Sequence, residues 1–286
     1  MKTMKNYVMA FTMLLSIVAL SACNNNDNAP ADEELSAETV DLVNESASTD
    51  MIDEAVDADV NEAIASSEQQ GSSLKSASTD STDCFTLTVS PNDGTFPRTI
   101  TVDYGDSCVS MTGLTRSGSI VITITDTLRN PGASYTVAFN NYTVEGFSIS
   151  GSKSVENTGT KDAPEYTETT NFDLTTANGV VISKTKTGTR QQIEGIDTPA
   201  LVDDVFLLTG SGEVSSSVGR SYSYTITEPL KVARSCENIL EGVMEITWTG
   251  KDEPVTIDYG DGYCDRKVYV SRARRIVRRA VYLNQF

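Results

Sequence analysis

From Cys84 onward the chain alternates. Ser119-Ile120-Val121-Ile122-Thr123-Ile124-Thr125 sets three isoleucines on one face of an extended segment and mostly threonine on the other. Tyr135, Val137 and Phe139 interleave with Thr136, Ala138 and Asn140 in the same way. Further strands are predicted over 84–89, 99–104, 142–150, 166–175, 180–187, 204–208, 221–227, 243–249, 255–259 and 267–270, with Gly, Asn, Asp and Pro between them. Roughly eleven or more such segments, with no convincing helix among them, predict one all-β domain over 84–286, a large antiparallel sheet meander. Alternation of this kind places one face against a core and the other in water. So many strands must curl, split into two layers or close, which leaves a curved sheet and a sandwich both open.

Ahead of the alternation the pattern is different. Residues 24–83 contain no aromatic side chain and are rich in Asn, Asp, Glu, Ala and Ser. Such a composition buries too little apolar surface to offset the entropy of ordering, so 23–83 is expected to be a mostly disordered acidic tether. Within it Ile52, Val56, Val60 and Ile64 recur every four residues, the spacing of one helix face over 51–68, with Asp50 or Asp53 near its start. Two readings stand: a transient, solvated helix, or a helix that docks.

Charge sharpens this division. The net charge is -18, and 24–83 holds 16 acids against a single lysine, whereas the chain from Cys84 holds 24 acids against 19 bases. The acidity is mainly a property of the tether, and a nucleic-acid partner is not expected.

The chain opens with Met1-Lys2-Thr3-Met4-Lys5, an apolar run over 7–20, and Leu20-Ser21-Ala22-Cys23. A short basic region, a hydrophobic stretch too short to span a bilayer comfortably and a small-residue cleavage site read as a signal peptide over 1–22. The pattern resembles the bacterial lipoprotein signal, which implies that Cys23 bears the lipid and anchors the chain by acyl chains to the outer membrane.

Four cysteines remain, Cys84, Cys108, Cys236 and Cys264, in a chain expected to leave the reducing cytoplasm, where disulfides form. Their spacing lacks the tight pairs of a zinc site, and four cysteines allow three connectivities. Two stretches favour one of these. Thr99 to Cys108 reads T-I-T-V-D-Y-G-D-S-C, and Val255 to Cys264 reads V-T-I-D-Y-G-D-G-Y-C. In each case a cysteine precedes an outgoing strand and another follows the returning one, with Pro91-Asn92-Asp93-Gly94 or Gly250-Lys251-Asp252-Glu253 at the turn. Cysteines so placed meet across a hairpin, predicting Cys84 with Cys108 and Cys236 with Cys264.

The repeated phrase does not fit a calcium loop, which needs oxygens at positions 1, 3 and 5 and a bidentate Glu at 12. Counted from Asp258, position 3 is Gly260 and position 12 is Tyr269; from Asp103 they are Gly105 and Leu114. A looser site of Asp258, Asp261 and Asp265 is the remaining metal reading, and no metal or cofactor is expected. The architectural reading is stronger: glycine permits a left-handed bend, and aspartate hydrogen-bonds its own turn.

Lipobox, acidic linker, D-Y-G-D-S-C with G-L-T-R-S-G-S-I-V-I-T beyond it, N-P-G-A-S-Y-T-V-A-F-N-N-Y-T-V-E-G, and a closing D-Y-G-D-G-Y-C-D together resemble a family of Bacteroidota lipoproteins with no established function. The resemblance covers 84–265 and implies an exported, membrane-anchored β protein without supplying catalytic residues. The end departs from it: Arg266, Lys267, Arg272, Arg274, Arg275, Arg278 and Arg279 crowd a segment with no glycine for a terminal turn. These cations read either as a solvated face or as a contact for anionic headgroups. Asp80-Ser81-Thr82 and Asp126-Thr127-Leu128 resemble the short O-glycosylation sequon of Bacteroidota, marking Ser81 and Thr127.

With no histidine in the chain, Ser-His-Asp, Cys-His and histidine-zinc chemistry are excluded. Asp203 with Asp204, or Glu165 with Glu168, are the carboxylate pairs a glycoside hydrolase would need. The expected function is a non-enzymatic binding or structural module of the cell envelope, acting on an envelope protein, a glycan or a lipid. A lipid or acyl-chain carrier with Tyr135, Phe139 and Phe147 lining an apolar concavity is the alternative, and a carbohydrate-active enzyme the third.

Overall fold

Among the described residues the period of two reappears as fourteen strands in a single antiparallel sheet. The computed structural model describes residues 35–69, 84–109, 113–198, 200–251, 253–272 and 279–283. In chain order the elements are α1 (Ala37–Gln69), β1 (Thr86–Ser90), β2 (Arg98–Asp103), β3 (Cys108–Val109), β4 (Thr115–Ile124), β5 (Ser134–Val144), β6 (Phe147–Asn157) and β7 (Glu165–Thr175). They continue as β8 (Val181–Glu194), β9 (Val205–Ser216), β10 (Ser221–Ala233), β11 (Glu241–Trp248), β12 (Val255–Asp261), β13 (Lys267–Arg272) and β14 (Arg279–Tyr282). Each strand pairs with its neighbour in sequence, except that the short β3 pairs with the start of β4, so β2 lies beside β4. This is the predicted meander, as one sheet.

Several boundaries differ from the sequence reading. The segment 142–150 is two strand ends around a turn at Glu145 and Gly146, which joins β5 to β6. Strands β8, β9 and β10 run well past their predicted ends, because their inward positions there hold Arg190, Gln192, Leu208, Val214 and Leu230 rather than an unbroken apolar series. The basic end does form a strand, β14, antiparallel to β13.

The outer face is a carpet of hydroxyls. One transverse row runs through Thr99, Thr123, Thr136, Ser154, Thr169, Thr187, Ser211 and Thr225, each directly opposite the next from β2 to β10. β-branched threonine suits a strand while its hydroxyl stays wet, so the row supplies β propensity without asking for a second layer.

The inner face is covered by α1, so over 37–69 the expectation of a solvated tether is corrected and the docking reading of the helix stands, while 23–34 and 70–83 lie outside the described residues. Residues Leu35 to Phe286 form one compact unit, and α1 belongs to it. Ser36, not Asp50 or Asp53, caps the helix: the Thr39 amide donates to the Ser36 side-chain oxygen at 3.3 Å, and Glu38 sits in the first turn. The predicted stripe of Ile52, Val56, Val60 and Ile64 is fully buried, and so are Leu42 and Val43 two turns earlier. Between these buried positions a stripe through Asp41, Ser48, Met51, Ala58 and Glu62 reaches solvent, and both helix ends, at Glu38 and Glu68, are exposed. The helix ends are tied to opposite parts of the sheet. Glu45 pairs with Arg220 at 2.7 Å beside β10, and Glu68 with Arg98 of β2 at 3.9 Å. No described helix is long and apolar enough to cross a membrane.

Candidate functional site

The helix carries ten acids and no lysine or arginine. In a solvated tether those charges would simply repel one another; here the strands answer them from inside. On β8 the inward residues include Lys184, Lys186 and Arg190, and on β6 the inward Lys153 is almost completely buried. Lys153 Nζ lies 2.9 Å from Asp53, 2.7 Å from Asp57 and 3.2 Å from Glu168 of β7. Lys186 bridges Asp53 at 3.0 Å and Glu168 at 2.6 Å, and Lys184 reaches Asp50 at 2.7 Å. Arg190 binds Glu54 and Asp57, each at 2.6 Å. One turn further along α1, Asp59 accepts from Arg116 Nε of β4 at 2.7 Å and from the Tyr142 hydroxyl of β5.

Removing so many charges from water is costly, and pairing repays the cost only if every member is matched. Proton affinities reflect that matching. For Asp53, burial is the largest influence and raises its pKa, but Lys153, Lys186 and Lys184 together outweigh it and hold the carboxyl well below its usual range. Glu168 is likewise lowered, Lys153, Lys186 and Arg190 overcoming its burial. Asp57 goes the other way: burial raises it, and the charges of Glu168 and Asp53 add to that against Lys153 and Arg190. The cluster therefore clamps the helix with few proton acceptors left idle.

Beside the clamp an open cleft of about 290 Å³ runs along the exposed stripe of α1. Its volume is at the small end of the usual range for ligand pockets. The first stapled corner contributes Cys84, Phe85, Tyr104 and Cys108, and the second contributes Cys236, Asn238 and Ile239. Strands β9 and β10 add Phe206 and Val232, with Arg234 just beyond β10. Regions near opposite ends of the sheet thus line one cavity.

Both staples form as predicted, Cys84 with Cys108 and Cys236 with Cys264, closing sequence separations of 24 and 28 residues. The repeated phrase is architectural in both copies. Asp103 Oδ1 accepts from the Gly105 amide and Asp258 Oδ1 from the Gly260 amide, each at 2.9 Å, with the glycines at φ +61° and +97°. Asp265 likewise serves its own turn, accepting from the Lys267 amide at 2.8 Å. Among the described residues no three Asp, Glu, Cys or His stand together as metal ligands.

The carboxylate pairs separate. Glu165 and Glu168 lie three apart on a strand and so face opposite sides, Glu168 into the ion cluster. Asp203 is exposed and accepts from Thr198, whereas Asp204 is buried and accepts from Gln192 at 2.8 Å. Burial pushes the Asp204 carboxyl up to about 6, with Arg234 and Arg129 opposing. Tyr135 lines a second cleft of about 100 Å³, together with Asp204, whereas Phe139 packs edge-on against Phe172 and stacks on Tyr142. Thr127 is half-buried at a turn, its amide bonded to Asp126. Cys23, Ser81, Arg274, Arg275 and Arg278 lie outside the described residues.

Sequence reasoning missed Lys153, Lys184, Lys186, Arg190 and Arg234. The available signal was a lysine or arginine recurring at the inward phase of β8, as in Ile182, Lys184 and Lys186, beside a helix without cations. Comparison with family models, with curated proteins and with solved structures finds no match for this chain.

Proposed function

We propose that this chain is a non-enzymatic binding or structural module of the cell envelope, held at the outer membrane by acyl chains on Cys23. The observation that supports this reading most is the cleft itself. Two disulfide-stapled corners and a clamped helix surround a preformed, largely apolar recess, while the buried carboxylates nearby are taken up by lysine and arginine. Preformed recesses with a few placed polar groups are what ligand sites require. In the carrier reading, the helix occupies much of the concave face that an acyl chain would need, leaving the cleft as the place for one.

The anchor is tested by growing the source cells with alkyne-tagged palmitate and following the label and the membrane fraction. Wild type should carry the label and sediment with membranes, and Cys23→Ala should lose both. A Cys23→Ala protein that stays labelled and membrane-bound would overturn the anchored module.

A further inference from the structure

Arg234, half-buried, stands out among the cations facing α1 because, among the described residues, none of the nearby carboxylates pairs with it directly. It follows the last residue of β10, its amide held by the Asp204 carbonyl at 3.0 Å, and its side chain reaches toward α1. The guanidinium lies 5.6 Å from the centre of the Phe206 ring. Among the described residues its side chain makes one hydrogen bond, a long 3.4 Å contact from Nη2 to the Asp57 carbonyl. Nε is buried without a partner, and among the described residues no carboxylate stands within salt-bridge distance of Arg234. Arginine cannot shed its proton to escape, so a half-buried cation without a direct counter-ion stands beside the apolar part of the cleft wall, where desolvation is costly.

The neighbouring charges explain why the chain itself supplies no counter-ion. Glu54 and Asp57 are taken by Arg190, Asp50 by Lys184, and Asp59 by Arg116. Glu62 and Glu237 also line the cleft, but both are exposed, where water and salt screen them. Beyond the guanidinium the apolar part of the wall is Phe85, Leu114, Val144, Phe206, Val232 and Ile239.

We infer that the cleft binds a small amphiphilic carboxylate, its head paired with Arg234 and its apolar body laid along the wall toward the Cys84–Cys108 staple. This rests on the binding-module reading and names its ligand class. A monoanion suffices for one guanidinium, whereas a dianion would bring a second charge closer to Glu62 and Glu237. Burial, followed by repulsion from Arg190, lowers the pKa of Arg234 against the pull of Asp57, Glu54 and Asp204, as expected of a cation still lacking its partner.

The test is calorimetric titration of the full-length folded protein with decanoate and with decanol, chosen as probes of equal chain length. Decanoate should bind at least about tenfold more tightly than decanol, the scale of a charge-assisted hydrogen bond. Arg234→Gln should abolish that preference while leaving decanol unchanged. Ile239→Trp, which fills the cleft and keeps the arginine, should weaken both. Equal affinity for the two probes, or decanoate binding indifferent to both substitutions, would overturn the inference. Binding of neither probe to a protein that still carries its acyl label would remove this ligand class and leave the anchored module standing.

Discussion

Strands β2 and β4 and strands β6 to β8 face the same helix with opposite chemistry. The first pair turn Ile100, Val102, Ile120, Ile122 and Ile124 inward, all fully buried. The second group turn Lys153, Glu168, Lys184, Lys186 and Arg190 inward, buried as deeply. Apolar packing is non-directional, so the isoleucines hold α1 near the sheet without fixing its rotation or register, and on these strands, among the described residues, only Arg116 with Asp59 and Arg98 with Glu68, near the strand starts, add direction. Ion pairs at 2.6–3.2 Å constrain both, because a helix turned by one residue would carry Asp53 and Asp57 away from Lys153. The isoleucines supply attraction, and the ion pairs, most of them on β6 to β8, supply position.

The contrast can be broken most severely at Lys153. Lys153→Met keeps the bulk but strips Asp53, Asp57 and Glu168 of their shared cation, and should cost about 3–5 kcal/mol in urea denaturation. Opening the first staple by replacing Cys84 and Cys108 with alanine should cost about 3 kcal/mol in the same measurement, through the freed loop of the unfolded chain. On the isoleucine wall, Ile122→Val removes one methyl from a fully buried site and should cost about 1 kcal/mol, with α1 still in place.

The smallest effect sharpens the comparison at the edge of the charged wall, where Asp204 has no lysine. Its folded pKa of about 6 lies above the ordinary 3.8, so the folded protein binds this proton more tightly than the unfolded chain does. The contribution to stability is fully present below pH 4 and is lost as pH rises to about 6. Partial solvent screening limits it to about 1 kcal/mol. Asp204→Asn, which keeps an oxygen for Gln192, should flatten that slope when thermal melts are compared across this range.

How much of this was legible depended on which side chains faced inward. Strand β7 was read nearly whole because Tyr166, Phe172 and Leu174 mark its inner face despite Glu168 and Thr170 between them. The hairpin staples were legible because turn residues and cysteine placement agree on the same pairing. The far half of β8 was not, since Arg190 and Gln192 at inward positions look like solvated polar residues when read without the helix they meet. The helix suffered the complementary error. Its apolar stripe was visible, but Asp53 and Asp57, one residue around, signalled exposure when they are buried beside it. Each half of the ion cluster looks like surface alone, and only the pairing makes it interior. Arg234 follows Leu230 and Val232 in the inward phase, but it lies beyond the predicted end of its strand at 227.

The seating of α1 by this cluster is tested most directly by amide hydrogen exchange of the full-length protein, read by mass spectrometry over 50–60. Those amides should be protected as strongly as the paired amides of β7 and β8, and Lys153→Met should release them before the isoleucine strands β2 and β4. Exchange over 50–60 at the rate of an unstructured peptide in the unmodified protein would contradict the seated helix.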